Sequence, residues 1–194
     1  MVDGMNPRLL AAAVVLAAAL ASGRAAVTAE ESADTITLRA GTNTVLVYHK
    51  AEDPAPAGTD PAFARSGFIH PLCSPSGEVL TMTRPADHLH HMGLWHAWTD
   101  TKHEGRKVDF WNLKDKLGRV RYARTVKVGP VDGGAGFTVV QEHVEYRDGK
   151  GGDAQVVLEE EFSVAAREEG GAYVADYNYT QKNVSAAPLE LQAY

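Results

Sequence analysis

Gly136-Phe137-Thr138-Val139-Val140-Gln141-Glu142-His143-Val144-Glu145-Tyr146-Arg147, then Asp148-Gly149-Lys150-Gly151-Gly152-Asp153, then residues 154–166, decide the fold. Two runs rich in Val, Phe, Thr and Tyr flank a Gly-rich turn, and neither carries helical periodicity. Working outward, Asp132-Gly133-Gly134 precedes the first run and Arg167-Glu168-Glu169-Gly170-Gly171 follows the second. Residues 120–183 therefore read as a meander of antiparallel hairpins. The same punctuation predicts strands at 36–40, 44–49, 78–83, 94–99, 108–111, 120–128, 136–147, 154–166, 173–183 and 189–194. Asp53 to Pro61, with three prolines, is a surface loop, because proline gives a ladder no N–H donor. The fold class is all-β, an antiparallel β-sandwich.

Alternation within 154–166 puts Val156, Leu158, Phe162 and Val164 on one face together with Glu160. On the neighbouring strand Thr138, Val140, Val144 and Tyr146 share a face with Glu142. A carboxylate among inward apolar positions is costly unless paired. Either these residues sit at strand ends, bulges or half-buried faces, or they line a polar cleft. Tyr173, Tyr177 and Tyr179 share a face on the next strand, as core or as cleft wall.

The chain has 194 residues, 44% of them apolar, with 19 Lys+Arg against 25 Asp+Glu and a net charge of −6. That composition fits one globular domain over 30–194 and argues against nucleic-acid binding, which needs clustered cations. Cys73 is alone, so no intramolecular disulfide forms. Residues 1–29 read as a secretory signal: Arg8 supplies the positive end and Leu9 to Ala21 the apolar run. That run is shorter than the roughly 20 residues a membrane helix needs. Cleavage is expected after Ala21, after Gly23 or after Ala29, leaving a secreted or periplasmic protein with no membrane span.

Five of the eight histidines fall in Asp87-His88-Leu89-His90-His91-Met92-Gly93-Leu94-Trp95-His96-Ala97-Trp98 plus His103, with His70 upstream. In an extended backbone His88 and His90 share a face while His91 looks away, unless the loop kinks. Imidazole is a common transition-metal ligand and gains or loses a proton near neutral pH. Three readings stay open: a packed polar loop, an acid/base site without metal, and a metal site begun by His88 and His90. Asp87 or Asp109 could orient a ring from behind. Ser74-Pro75-Ser76-Gly77 reads as a turn and not a nucleophile elbow. Trp95, Trp98 and Trp111 crowd the same stretch; alternation separates Leu94, His96 and Trp98 from Trp95 and Ala97, leaving one ring for the core and one for a ligand. Flat rings beside Asp, His and Asn suit a sugar.

The blocks Phe68-Ile69-His70-Pro71-Leu72-Cys73-Ser74-Pro75-Ser76-Gly77, Asp87-His88-Leu89-His90-His91-Met92-Gly93-Leu94 and Asp109-Phe110-Trp111 resemble, in that order, a bacterial secreted family labelled methane oxygenase PmoA, otherwise an uncharacterised domain family. The likeness runs over nearly all of 45–194. It implies an all-β sandwich similar to the galactose-mutarotase-like supersandwich, in bacteria that degrade complex carbohydrate. Family members run on by roughly another hundred residues, so it also implies that Tyr194 is a truncation. The membrane monooxygenase behind the label spans the bilayer several times, and no apolar run after residue 21 is long enough for that.

The resulting expectation is a carbohydrate-processing protein that performs acid/base chemistry on a sugar, as an isomerase, lyase or hydrolase. His88, His90, His91, Glu142 and Glu160 are the catalytic candidates; His70, Asp87, Trp95, His96, Trp98, Asp109 and Trp111 are the substrate-binding ones. Its rivals are a non-catalytic carbohydrate-binding module and an oxygenase or hydrolase dependent on a divalent transition metal.

Overall fold

A computed structural model of the chain describes residues 26–192. In chain order the strands are β1 (Val27–Glu31), β2 (Thr35–Ala40), β3 (Asn43–His49), β4 (Phe68–Leu72), β5 (Thr101–His103), β6 (Arg106–Val108), β7 (Gly118–Val131), β8 (Gly134–Tyr146), β9 (Ala154–Glu169), β10 (Ala172–Asn183) and β11 (Leu189–Leu191). They form three antiparallel sheets, ordered β1-β2-β3-β4, β10-β9-β8-β7 and β11-β5-β6. The fold is an all-β sandwich. Among the described residues no helix is long and apolar enough to cross a membrane.

The expected meander is present as β7 to β10, long strands joined at their Gly-rich turns. Its apolar half packs on the first sheet, where Ile36, Leu38, Leu46 and Tyr48 meet Phe137, Val139, Phe162, Val164 and Ala166. The Tyr48 ring lies 5.1 Å from Phe137 and 6.1 Å from Phe162. Burying each such side chain contributes about 1.5–3 kcal/mol, so this seam dominates the cohesion of the two layers. A second cluster of Ala97, Val108, Phe110, Val120 and Val157, flanked by the three tryptophans, closes the other end.

Several expectations change. β9 does turn Leu158, Glu160, Phe162 and Val164 inward, but on β8 the inward residues are Phe137, Val139, Gln141, His143 and Glu145. Glu142 lies on the opposite face, where its carboxylate pairs with Arg121. Val140 and Val144 are buried too, which is why the pattern of β8 does not announce its face. Residues 78–83 and 94–99 are not strands: they make only the isolated bridges Cys73↔Val79, Thr83↔Met92 and Ile69↔Leu94. Phe110 and Trp111 lie beyond β6. Residues 1–25 of the expected signal, and residues 193–194 of the last expected strand, lie outside the described residues. Val27 is buried and pairs with Ala40, so cleavage after Ala29 would remove Val27, Thr28 and Ala29 from the ladder.

Candidate functional site

Half-way along, the inner face of the β7–β10 sheet changes from apolar to polar. Gln141, His143 and Glu145 continue the face of Phe137 and Val139, and Glu160 sits opposite Gln141 in register. Residues of the segment 94–111, irregular except for β5 and β6, supply the contacts above them.

Glu160 is 0% exposed, and donors surround its carboxylate. Oε1 accepts from Gln141 Nε2 at 3.1 Å. Oε2 accepts from His96 Nδ1 at 3.0 Å, from His143 Nε2 at 3.2 Å and from Gln181 Nε2. An ionised carboxylate only accepts, so His96 carries its proton on Nδ1 and His143 donates from Nε2. Two of the donors are themselves anchored: Gln141 Oε1 accepts from the Tyr48 hydroxyl at 3.2 Å, and Gln181 Oε1 from Trp98 Nε1 at 2.9 Å. Burial works to raise the carboxyl pKa, but the hydrogen bonds from His143 and His96, the charge of His143 and the Gln181 bond carry it down to about 2. Gly67, at φ 75°, makes room for this: a Cβ there would stand 2.4 Å from Gln141 Oε1.

His96 bridges the buried network and solvent. Its side chain is 31% exposed, packed 4.7 Å from the Tyr179 ring and 5.6 Å from Trp98, and its Nε2 makes no hydrogen bond among the described residues. The arrangement is a carboxylate-oriented imidazole with a free nitrogen.

Trp98 also lines a cleft of about 580 Å³, together with His88, His90, His91, Trp111 and Asn112 and with Thr99 and Asp100. The histidine loop does kink. His88 N–H donates to Pro85 O at 2.8 Å and His91 N–H to His88 O at 2.9 Å. Gly93 at φ 63° lets the chain return against β4, where a Cβ would stand 2.2 Å from Ile69 O. His91 thus joins the other two, stacked 4.7 Å from His88 and edge-on 4.5 Å from His90. Burial, the neighbouring imidazoles and the Arg65 cation hold His90 below the ordinary imidazole range, against the pull of Asp109. Burial, His88 and Arg65 do the same for His91, against Asp87. Among the described residues no group of three or more His, Cys, Asp and Glu is arranged to hold a metal ion.

The remaining candidates are spread around this site. Asp87 is exposed and meets His88 Nδ1 at 3.0 Å. Asp109 is a buried loop-holder: its oxygens accept from the backbone N–H groups of Trp111 and Asn112, each at 2.9 Å, and from Asn112 Nδ2 at 2.8 Å. His70 meets the Thr81 hydroxyl at 2.9 Å, and burial lowers its pKa. Trp95 packs against Trp111 at 4.1 Å with its ring tilted by 38°, and under the guanidinium of Arg65 at 3.5 Å. Glu142 stays on the outer face. A second polar cluster joins β5 to β8: His103 Nδ1 meets Glu145 Oε2 at 2.7 Å, and Arg106 Nε donates to Glu145 Oε1 at 2.9 Å. His103 Nε2 meets Ser185 Oγ at 3.0 Å, but Asn183 Oδ1 and Ala187 O lie within 2.8 Å of that oxygen, which makes Ser185 a loop tie. Gln141, His143, Gln181 and Arg65 contact the candidate site residues and are not among the candidates the sequence singles out. For Gln141 and His143 the signal was their period-2 spacing from Phe137 and Val139.

The model of a family of unknown function, DUF6807, matches residues 35–194. The chain belongs to this family. The DUF6807 match spans β2 to β11 and contains both the Glu160 network and the histidine cleft, in accord with the expected uncharacterised domain family. No curated protein and no solved structure matches the chain.

Proposed function

We propose that this protein processes carbohydrate outside the cytoplasm, moving a proton to or from a sugar at His96. The observation that carries the reading is the His96–Glu160 pair: a buried carboxylate fixes one ring nitrogen of a part-exposed imidazole and leaves the other without a hydrogen-bond partner among the described residues, on a ring packed 5.6 Å from Trp98, which lines the cleft. A proton taken up at Nε2 from a sugar hydroxyl gives an imidazolium whose charge Glu160 stabilises, and its return to an oxygen of the product completes the step. Trp98 and Trp111 supply flat apolar surface, and Asn112, Asp100 and Thr99 supply hydroxyl partners, a combination suited to a pyranose. The cleft volume lies in the usual range for small-ligand sites. The signal read over residues 1–29 supports action outside the cytoplasm.

The test is a carbohydrate panel assayed for binding and turnover on the mature protein, on His96→Ala, and on a variant with His88, His90 and His91 all changed to Ala. Turnover lost with His96 while binding persists supports the proposal. Binding with no turnover in any form identifies a binding module. About one equivalent of a transition metal, lost in the triple variant, identifies the metal-dependent oxygenase or hydrolase that the PmoA label suggests.

A further inference from the structure

Arg65 is a buried cation next to the histidine cleft's aromatic wall. It is 0% exposed, and its Nε, Nη1 and Nη2 are buried with no hydrogen-bond partner among the described residues. Burial, together with repulsion from a second cation, Arg119, brings its pKa down to about 9. An unpaired buried guanidinium works against folding, since burying a charge without hydrogen bonds costs several kcal/mol. Its favourable contact is aromatic: the guanidinium carbon stands 3.5 Å from the centre of the Trp95 ring. From there flat groups follow one another to the mouth of the cleft. Trp95 lies 4.1 Å from Trp111, Trp111 lies 5.8 Å from His91, and His91 packs on His88 and His90.

We propose that Arg65 is a positioning residue of the histidine cleft: stacked behind Trp95, it fixes the Trp95–Trp111 pair that forms the wall against which His91, and with it His88 and His90, are packed. The proposal rests on the cleft being the ligand site and assigns a role to a residue that touches no ligand. It accounts for a buried cation kept against its own folding cost. The planar guanidinium matters as well as the charge, because an ammonium on a flexible stem does not stack across an indole face.

Arg65→Met keeps an unbranched apolar stem and removes plane and charge; Arg65→Lys keeps the charge alone. Two tryptophans this close couple their transitions, so the Trp95–Trp111 pair gives an exciton couplet in circular dichroism, absent from Trp111→Phe. The expected result for Arg65→Met is a thermal midpoint equal to or above that of the wild type, together with loss of the couplet. Sugar turnover, where the wild type shows it, falls about tenfold or more through misplacement alone. Arg65→Lys loses the couplet too. Failure of Arg65→Met to fold, a lowered midpoint, or a couplet kept in both variants overturns the proposal. The optical and thermal readouts need no substrate, so a wild type that turns over no sugar refutes the carbohydrate reading and leaves the test of Arg65 intact.

Discussion

The two halves of the β8–β9 inner face are built on the same strands and do opposite things. Phe137, Val139, Phe162 and Val164 meet a regular sheet and bury apolar area. Two residues further along, Gln141, His143 and Glu160 meet an irregular segment and bury a charge. The first half holds the layers together; the second spends part of that stability on a carboxylate that must be matched donor by donor. Regular pairing can thus carry an irregular site, provided the register that fixes Phe162 also fixes Glu160.

Four measurements break or sharpen this contrast. His96→Ala is expected to lower sugar turnover by about 10²–10⁴-fold, the usual contribution of a positioned acid/base group, with little change in thermal midpoint. Phe162→Ala inverts that pattern: it should cost about 3–5 kcal/mol in denaturant unfolding and leave a folded remainder with turnover close to normal. Third comes acid. The Glu160 pKa is depressed in the fold, so its stabilisation is present above the unfolded value near 4.5 and is lost as pH falls toward about 2. The stability gap between the wild type and Glu160→Gln, measured by urea titration, should therefore close by about 3 kcal/mol over that window. The smallest effect belongs to Trp98→Phe, which removes the donor to Gln181 Oε1 and should cost about 1 kcal/mol of stability along with weaker sugar binding by calorimetry.

The regular half was legible from the sequence and the irregular half only in fragments. Gly-rich turns and Val/Phe alternation announce β7 to β10 because a hairpin needs only neighbours in sequence. β4 escaped because Pro71 argues against a strand, and the sheet tolerates it at an edge. β1 escaped because its short run follows directly on the Ala-rich leader. Residues 78–83 and 94–99 have strand composition but no ladder, since composition sets an extended backbone and not a partner. At the site, Glu160 and His96 were each visible, one as an inward carboxylate and one in a His-rich run. Their contact joins residues 64 apart and depends on how an unpatterned segment is laid over the sheet. Glu142 was misplaced by the choice of face on β8, where Val140 and Val144 are buried alongside Val139. Arg65 left no sequence signal, because its partner is the face of Trp95.

The sheet over the polar half consists of β5, β6 and β11, each three residues long, whereas β7 to β10 run to twelve or more. Few backbone bonds must break to lift so short a ladder, and cooperative opening free energies scale with the structure that opens. In deuterium exchange the amides of Thr101, His103 and Val108 therefore trade their protons well before those of Val139 or Phe162. The end of the sandwich that holds the candidate site is expected to open first, while the other end stays shut.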